Sequence, residues 1–317
     1  MKTLSGAVWP AVAFLCLSGI YGCKKEQAAS NSDPSGTSDP SVVDFTPDSA
    51  GRSAAVSDYQ TNYLGTETSS IGWTGSSENC DPGDTPDDLK QKEVRRLNYF
   101  RRLSGLPAVT LNVTYSAKAQ QAALMMKDND ALNHYPPTSW KCFTPDGQSA
   151  AANSNLTLGV AGTDAIDAYI QDAGVTTLGH RRWALFPSLT EVGTGDTDFT
   201  NALWVIGGFG TRPANPFSAY PGNGYIPLGL VYPVWSFSIS AADFTGASVS
   251  VTDNTGNTYP VALSLTDNGY GDNTLGWTFQ QNFSSNKRDL ILHVTVSGVK
   301  VSGATHSYSY TVDIIAI

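Results

Sequence analysis

Positive charge and histidine are scarce in this chain. Its 317 residues carry 19 Lys and Arg against 28 Asp and Glu, a formal net charge of −9, and only 4 His. Tight binding to a phosphate backbone needs clustered cations, so this balance excludes nucleic acid as a partner. No His-Glu-x-x-His helix and no Gly-x-Ser-x-Gly turn occurs, which removes the two simplest hydrolase signatures. No internal repeat is evident. The most apolar stretch, residues 7–17, is broken by Pro10 and is too short to cross a bilayer as a retained helix. Cysteine is sparse as well, with 4 residues in all.

What the chain does have begins with an export signal over residues 1–22. Lys2 supplies a basic start, an apolar core follows, and Ile20-Tyr21-Gly22-Cys23 ends it. A Cys directly after Gly22 resembles the bacterial lipoprotein box, in which that Cys is acylated and becomes the new N-terminus. The other reading is ordinary secretion with an incidental Cys23. Lipid on Cys23 would make the membrane a partner and place the protein at the cell envelope, facing the periplasm or the exterior. Cleavage removes Lys2 and Cys16 and leaves 18 basic against 28 acidic side chains. Cys80 and Cys142 then remain as an even pair. In an oxidising compartment they are expected to form a disulfide worth roughly 3–4 kcal/mol; the alternative is two free thiols. No neighbour in sequence gives them metal-ligand spacing, which argues against a cysteine metal site.

Residues 23–57 are rich in Lys, Gln, Ser, Asn, Asp, Gly, Pro and Thr. They read as a disordered tether with a coil dimension of roughly 30 Å. Over residues 58–84, Tyr59, Tyr63, Leu64, Ile71 and Trp73 look like anchors onto a folded body. A first helix is expected from Thr85-Pro86-Asp87-Asp88, with Thr85 as cap and Gly105 as stop. Its Arg95, Arg96, Arg101 and Arg102 are expected on a solvated face. A second, small-residue helix is expected over about 112–132, and a third over 163–173 with Thr163 as cap. Strands are expected near 191–195 and 202–207, which together suggest α and β layers. Four prolines in 211–227 suggest a linker. Beyond it the period becomes two, as in Leu290, Leu292, Val294 and Val296, and in Tyr308, Tyr310, Val312 and Ile314. Residues 228–317 therefore read as a β-sandwich, immunoglobulin-like in strand number. Two Asp/Asn/Gly-rich stretches, 195–198 and 267–273, have the composition of calcium loops or of turns, and turns are favoured.

One stretch carries more. Gly179-His180-Arg181-Arg182-Trp183, with Leu185, Pro187, Gly193 and Gly195, resembles the signature of the CAP superfamily (cysteine-rich secretory proteins, antigen 5, pathogenesis-related 1), also called the SCP domain. Arg96, Asn98 and Arg101 match a first-helix pattern of bacterial members. Ala119-Gln120-x-x-Ala123 and Leu132-Asn133-His134 match the second helix and its cleft histidine. The resemblance covers about residues 85–210, within a domain running from 58 to 210. It implies a CAP-type α/β/α sandwich, which with the β-sandwich read from the two-residue period makes an α+β chain. It also implies a cleft holding two His, matched by His134 and His180, and in many members two acids. Ser154 of Asn153-Ser154-Asn155-Leu156 stands where one of those acids, a Glu, would be. Asp172 is the nearest match to the second, with Gln148 as a neutral neighbour.

The cleft expected from this resemblance comprises His134, His180, Asp172, Ser154, Asn155 and Arg181. His134 and His180, with Asp172, could hold Zn²⁺ with an open water position. The missing Glu removes the usual proton carrier, so hydrolysis is disfavoured. A triad of Ser154, one of the two histidines and Asp172 can also be drawn. The plainer readings are that His180 fixes a loop, that His134 caps the second helix, and that Arg181 and Arg182 brace Asp172 or Glu191. His293 and His306 read as exposed strand residues. The leading expectation is a binding protein for an envelope or extracellular ligand (lipid, glycan or peptide), with zinc as the one cofactor worth considering. The alternatives are a hydrolase acting on envelope polymer or peptide, and a scaffold or adhesion module.

Overall fold

The computed structural model describes residues 43–44, 51–283 and 287–317. The signal sequence, Cys23 and most of the tether lie outside the described residues. Six helices are described: α1 Arg52–Asp58, α2 Asp87–Leu103, α3 Val113–Asp128, α4 Pro145–Asn153, α5 Thr163–Gln171 and α6 Gly179–Ala184. The first strands are β1 Val43–Asp44, β2 Thr110–Leu111, β3 Ser154–Leu158, β4 Glu191–Asp196 and β5 Thr200–Trp204. Then come β6 Ser218–Tyr220, β7 Gly224–Pro227, β8 Val234–Ile239, β9 Ser248–Asp253 and β10 Val261–Leu265. The last three are β11 Asn273–Phe279, β12 Leu290–Val301 and β13 Ala304–Ile315.

The first half is built on a sheet of order β2-β4-β5-β3. One face carries α3 and α4 through Ala119, Ala122, Ala123, Met126, Ala150 and Ala151 against Leu156, Ala202 and Trp204. The small residues let α3 lie directly on β4. A Cβ at Gly195 would stand 2.1 Å from the Gln120 nitrogen, so glycine is required there by close approach. The opposite face packs α2, α5 and α6 through Leu97, Phe100, Ile166, Ile170 and Ala184. Asn112 caps α3 by accepting from Thr114 and Tyr115. Two expected caps are not realised. Thr85 precedes the Pro86 N-cap, and no side chain caps α2. Gly162, not Thr163, stands at the N-cap of α5.

The second half is a sandwich of two sheets, β10-β11-β8-β6 and β9-β12-β13, the latter edged by β1 and β7. Phe217 and Phe237 of one sheet meet Tyr308 and Tyr310 of the other at centroid distances of 5.4–6.3 Å. The inward sets Leu292, Val294, Val296 and Tyr308, Tyr310, Val312, Ile314 are buried, as the two-residue period requires. Both β1 and β7 pair parallel with β13, so the order departs from the all-antiparallel immunoglobulin arrangement.

Three boundaries differ from expectation. Residues 211–227 do not act as a linker, because β6 and β7 within them join the two sheets. The buried Phe217, Tyr220 and Ile226 outweigh the prolines there. Part of the expected tether is structured, since Arg52 of α1 pairs with Asp289 and donates to the Ala316 carbonyl. The arginines of α2 split. Arg95 and Arg102 are exposed, but Arg96 and Arg101 are buried. Arg96 pairs with Asp167 and donates to Thr66, while Arg101 donates to four carbonyls, those of Pro107, Ala184, Phe186 and Leu189. A single apolar core runs through both halves, with Phe100 of α2 against Tyr220 and Tyr232.

Candidate functional site

The site sits where the edge strand β3 meets the ends of α4, α5 and α6. Asp172 ends α5 in the left-handed region (φ 52°), which turns its side chain back toward α6. Asp172 Oδ1 lies 2.8 Å from His180 Nδ1, and Asp172 Oδ2 accepts from the Arg181 backbone N–H at 3.1 Å. The carboxylate is fully buried while 15% of the His180 side chain remains exposed. Asn155 of β3 donates to the His180 carbonyl at 2.9 Å, and Tyr169 OH donates to the Asn155 carbonyl. The Tyr169 ring packs 5.6 Å from the His180 ring. His180 is thus fixed from α5, from β3 and along α6.

His134 follows α3 and does not cap it. Its Nδ1 lies 2.8 Å from the Ala151 carbonyl near the end of α4. The residue is solvent-exposed, yet protein crowds the ring. The resulting desolvation lowers its pKa below the ordinary histidine value; the Ala151 bond opposes this and the field of His180 adds to it. Ser154 is buried at the start of β3, and its Oγ makes no hydrogen bond among the described residues. The Asp172–His180 pair of the drawn triad therefore exists, but the Ser154 hydroxyl is not bonded to it.

Arg181 does not line the cleft. It is buried and donates to the carbonyls of Ile170, Gln171 and Val234 and to Ser236 Oγ. Arg182 reaches the carbonyls of Thr177, Asp267 and Asp272. Both bind α6 to the sandwich, and neither braces Glu191. A guanidinium also serves the 267–273 loop, where Arg212 pairs with Asp272. The loop is thus a turn clamped by arginines. Asp196, expected in a turn, is fully buried at the end of β4. His293 is exposed, and His306 is half-buried on β13.

The donor set does not suit zinc. Both Asp172 oxygens are engaged within the protein, and among the described residues His134, His180 and Asp172 do not offer three ligand atoms within 4.8 Å of one another. His134 and His180 alone would supply two ligands, one fewer than catalytic zinc sites use.

Residues 94–205 match the family model of the cysteine-rich secretory protein family, CAP. This stretch is a CAP domain. A solved extracellular protein containing an SCP domain, from Bacillus anthracis str. Ames, aligns with 20% identity and a TM-score of 0.30. That alignment covers 38% of this chain and 43% of the other, so it spans less than half of that protein. Comparison with curated proteins gives no match. The CAP signature residues have separate roles here: Gly193 and Gly195 admit α3, Arg181 locks α6 to the sandwich, and His180 pairs with Asp172.

Sequence reasoning missed one polar cluster in the CAP domain. Glu93 of α2 and Asp196 are both fully buried. Asp196 Oδ1 accepts from Gly162 N–H and Asn201 Nδ2 at 2.7 and 2.8 Å, while Asn201 is 3.4 Å from Glu93 Oε1. Burial raises both pKa values, Glu93 well above the carboxylate range, with the Asp196 charge adding to the effect on Glu93. Glu93 lies next to an apolar stripe and Asp196 in a Gly/Asp run, so neither carried a local signal of its partner.

Proposed function

We propose that this chain is an exported, lipid-anchored protein whose CAP-domain recess, formed around His134 and His180, binds an envelope or extracellular ligand: a lipid, a glycan or a peptide. The observation that supports it best is the pair of imidazoles. Each is oriented through Nδ1 by a different protein acceptor, and the charge of His180 is one cause of the lowered His134 pKa. Convergent titratable groups in one recess are the usual mark of a binding site. Among the described residues, no helix is long and apolar enough to cross a membrane, so Cys23 would carry the attachment. Binding to peptidoglycan fragments, a model peptide and anionic phospholipid vesicles tests the reading. The His134→Ala/His180→Ala variant should bind the recognised probe at least tenfold more weakly. Equal binding by variant and wild type removes the recess from the function. Intact mass of the mature N-terminus tests the anchor separately.

One observation favours a second reading, hydrolysis of envelope polymer or peptide. A buried carboxylate on Nδ1 orients an imidazole for proton transfer. Turnover of a cell-wall or peptide substrate that disappears in His180→Ala would establish it. Equal turnover in the two proteins would end it.

A further inference from the structure

A second constellation of chemistry-bearing groups lies at the C-terminal end of α3, outside the His134/His180 recess. Cys80 and Cys142 form a disulfide with a Cα–Cα distance of 5.0 Å. Asp128 joins them. Its Oδ2 lies 2.8 Å from Cys142 Sγ, and one ligand atom from each of the three residues falls within 4.8 Å of the others. The Asp128 side chain is only 2% exposed. A disulfide sulfur has no proton to donate, so this buried carboxylate gains no hydrogen bond from its nearest sulfur while the bridge is closed. The same contact becomes favourable when Cys142 is a thiol or shares a cation with Asp128.

The backbone keeps the three residues together without the bridge. Ser76 and Asp81 exchange backbone hydrogen bonds around the Cys80 turn, and Trp73 and Gln120 side chains both donate to the Pro82 carbonyl. Asn129, next to Asp128, bonds both the N–H and the carbonyl of Lys141, next to Cys142. Both half-cystines hold left-handed backbone, φ 50° and 56°, a costly conformation for a residue with a side chain. Opening the bridge frees them to relax without dissolving the scaffold.

We propose that, once a thiol reductant has opened the disulfide, Cys80, Cys142 and Asp128 bind one thiophilic divalent cation, with Zn²⁺ the best fit. Zinc lies ~2.3 Å from thiolate sulfur and ~2.0–2.2 Å from carboxylate oxygen, so one ion reaches ligand atoms about 4.6 Å apart at most. Two thiolates select a soft cation over Ca²⁺ or Mg²⁺. In the first step a dithiol donates two electrons and two protons. The S–S bond breaks, both cysteines become thiols, and the reductant becomes its own disulfide. In the second step Zn²⁺ displaces both thiol protons to solvent and takes the Asp128 carboxylate. The two thiolates, the carboxylate and the ion leave a net charge of −1, faced by Lys141 Nζ, 3.6 Å from Asp128 Oδ2. Cys80 is solvent-exposed, so ion and reductant can both reach the site.

The test is an anaerobic zinc titration of the whole chain, oxidised or reduced with dithiothreitol and freed of reductant, using a chromogenic chelator as competitor. Near-UV circular dichroism follows the fold. One equivalent is expected to bind the reduced protein and none the oxidised protein. Cobalt in place of zinc should give a thiolate-to-metal charge-transfer band. Asp128→Asn should weaken zinc at least tenfold in the reduced protein, and Cys80→Ser should abolish tight binding. A natively folded reduced chain that takes up no zinc overturns the proposal. So does undiminished affinity in Asp128→Asn. A reduced chain that loses its fold and does not regain it with zinc overturns it as well.

Discussion

Replacing Glu93 with glutamine isolates the buried acid pair. In the native chain Glu93 and Asp196 are both fully buried, and each leaves one carboxyl oxygen with no donor among the described residues. Asp196 has the Gly162 N–H and the Asn201 amide on its other oxygen, so it is the better seat for negative charge. Glu93, with its one amide donor at 3.4 Å, is the better seat for the proton. A proton shared between the two carboxyls would satisfy both unpaired oxygens. The sign follows from linkage. The folded pKa of Glu93 is raised above its unfolded value of ~4.3, so the folded chain holds a proton that the unfolded chain has released. The contribution is complete below ~4.3 and is lost as pH rises toward the folded pKa, at about 1.4 kcal/mol per pH unit. The amide of the Glu93→Gln variant would carry its own hydrogens and release no proton. Urea unfolding of both proteins at pH 5, 6 and 7 therefore has a definite outcome. Wild-type stability should fall relative to Glu93→Gln by about 1.4 kcal/mol for each unit through which the proton is kept. Groups remote from the pair cancel in the difference, while Asp196, which titrates together with Glu93, is read with it as one unit. Parallel pH profiles would show that Glu93 is ionised in the folded state and would refute the shared proton.

Other perturbations follow from the same contacts. Gly195→Ala should cost about 3 kcal/mol or more, read as a lowered urea midpoint, because its Cβ would strike the α3 backbone, which cannot rotate away. Arg101→Ala should cost about 3–5 kcal/mol, since four carbonyls lose their donor inside the fold; a loss under about 1 kcal/mol would mean that water replaces the guanidinium. Burial pushes the Arg101 pKa down to about 10, so the group stays charged at neutral pH and the cost should not vary between pH 6 and 8. NMR titration should place the His134 pKa below ~6.5 and move it upward when His180 is replaced by Ala. A His134 pKa unmoved by that change would separate the two rings.

Much of the scaffold was legible because its pattern is local. The two period-two runs expected after residue 228 fall on β12 and β13, since alternation of Leu292, Val294 and Val296 with their neighbours admits one face to the core. Helices α2, α3 and α5 showed through apolar spacing and stop signals. Helix α4 and strand β3 did not. Three consecutive alanines, Ala150, Ala151 and Ala152, flanked by Ser149, Asn153 and Ser154, carry no periodic apolar signal. The burial of this segment comes from α3 and β5 packed against it. The arginines of α2 misled for a different reason. A charge beside an apolar stripe is normally solvated, but the carbonyls that receive Arg101 lie up to 88 residues away. Asp128 escaped notice as a neighbour of Cys142 in the same way, because a turn and not a motif spacing brings them together. At the candidate site, the family resemblance pointed to His134, His180 and Asp172, and the fold shows their bonds; Arg181, from the same motif, proved to be structural.

Helix α6 explains why that motif mixes site and scaffold. It has six residues, too few to hold itself in water, so its geometry comes from what grips it. His180 is fixed by Asp172 and Asn155 on the CAP side, while Arg181 and Arg182 on the same turn plug into carbonyls of β8 and the 267–273 loop. Neither arginine meets a carboxylate in those contacts, and burial lowers the pKa of both. Each guanidinium pairs best with carbonyls held at fixed positions, which the sandwich provides. The orientation of His180 therefore depends on the sandwich as much as on the CAP sheet. Severing the chain near residue 210 would leave Arg181 and Arg182 without more than half of their acceptors and would loosen the hold on His180, which makes the two halves one structural unit and not a module with an appendage.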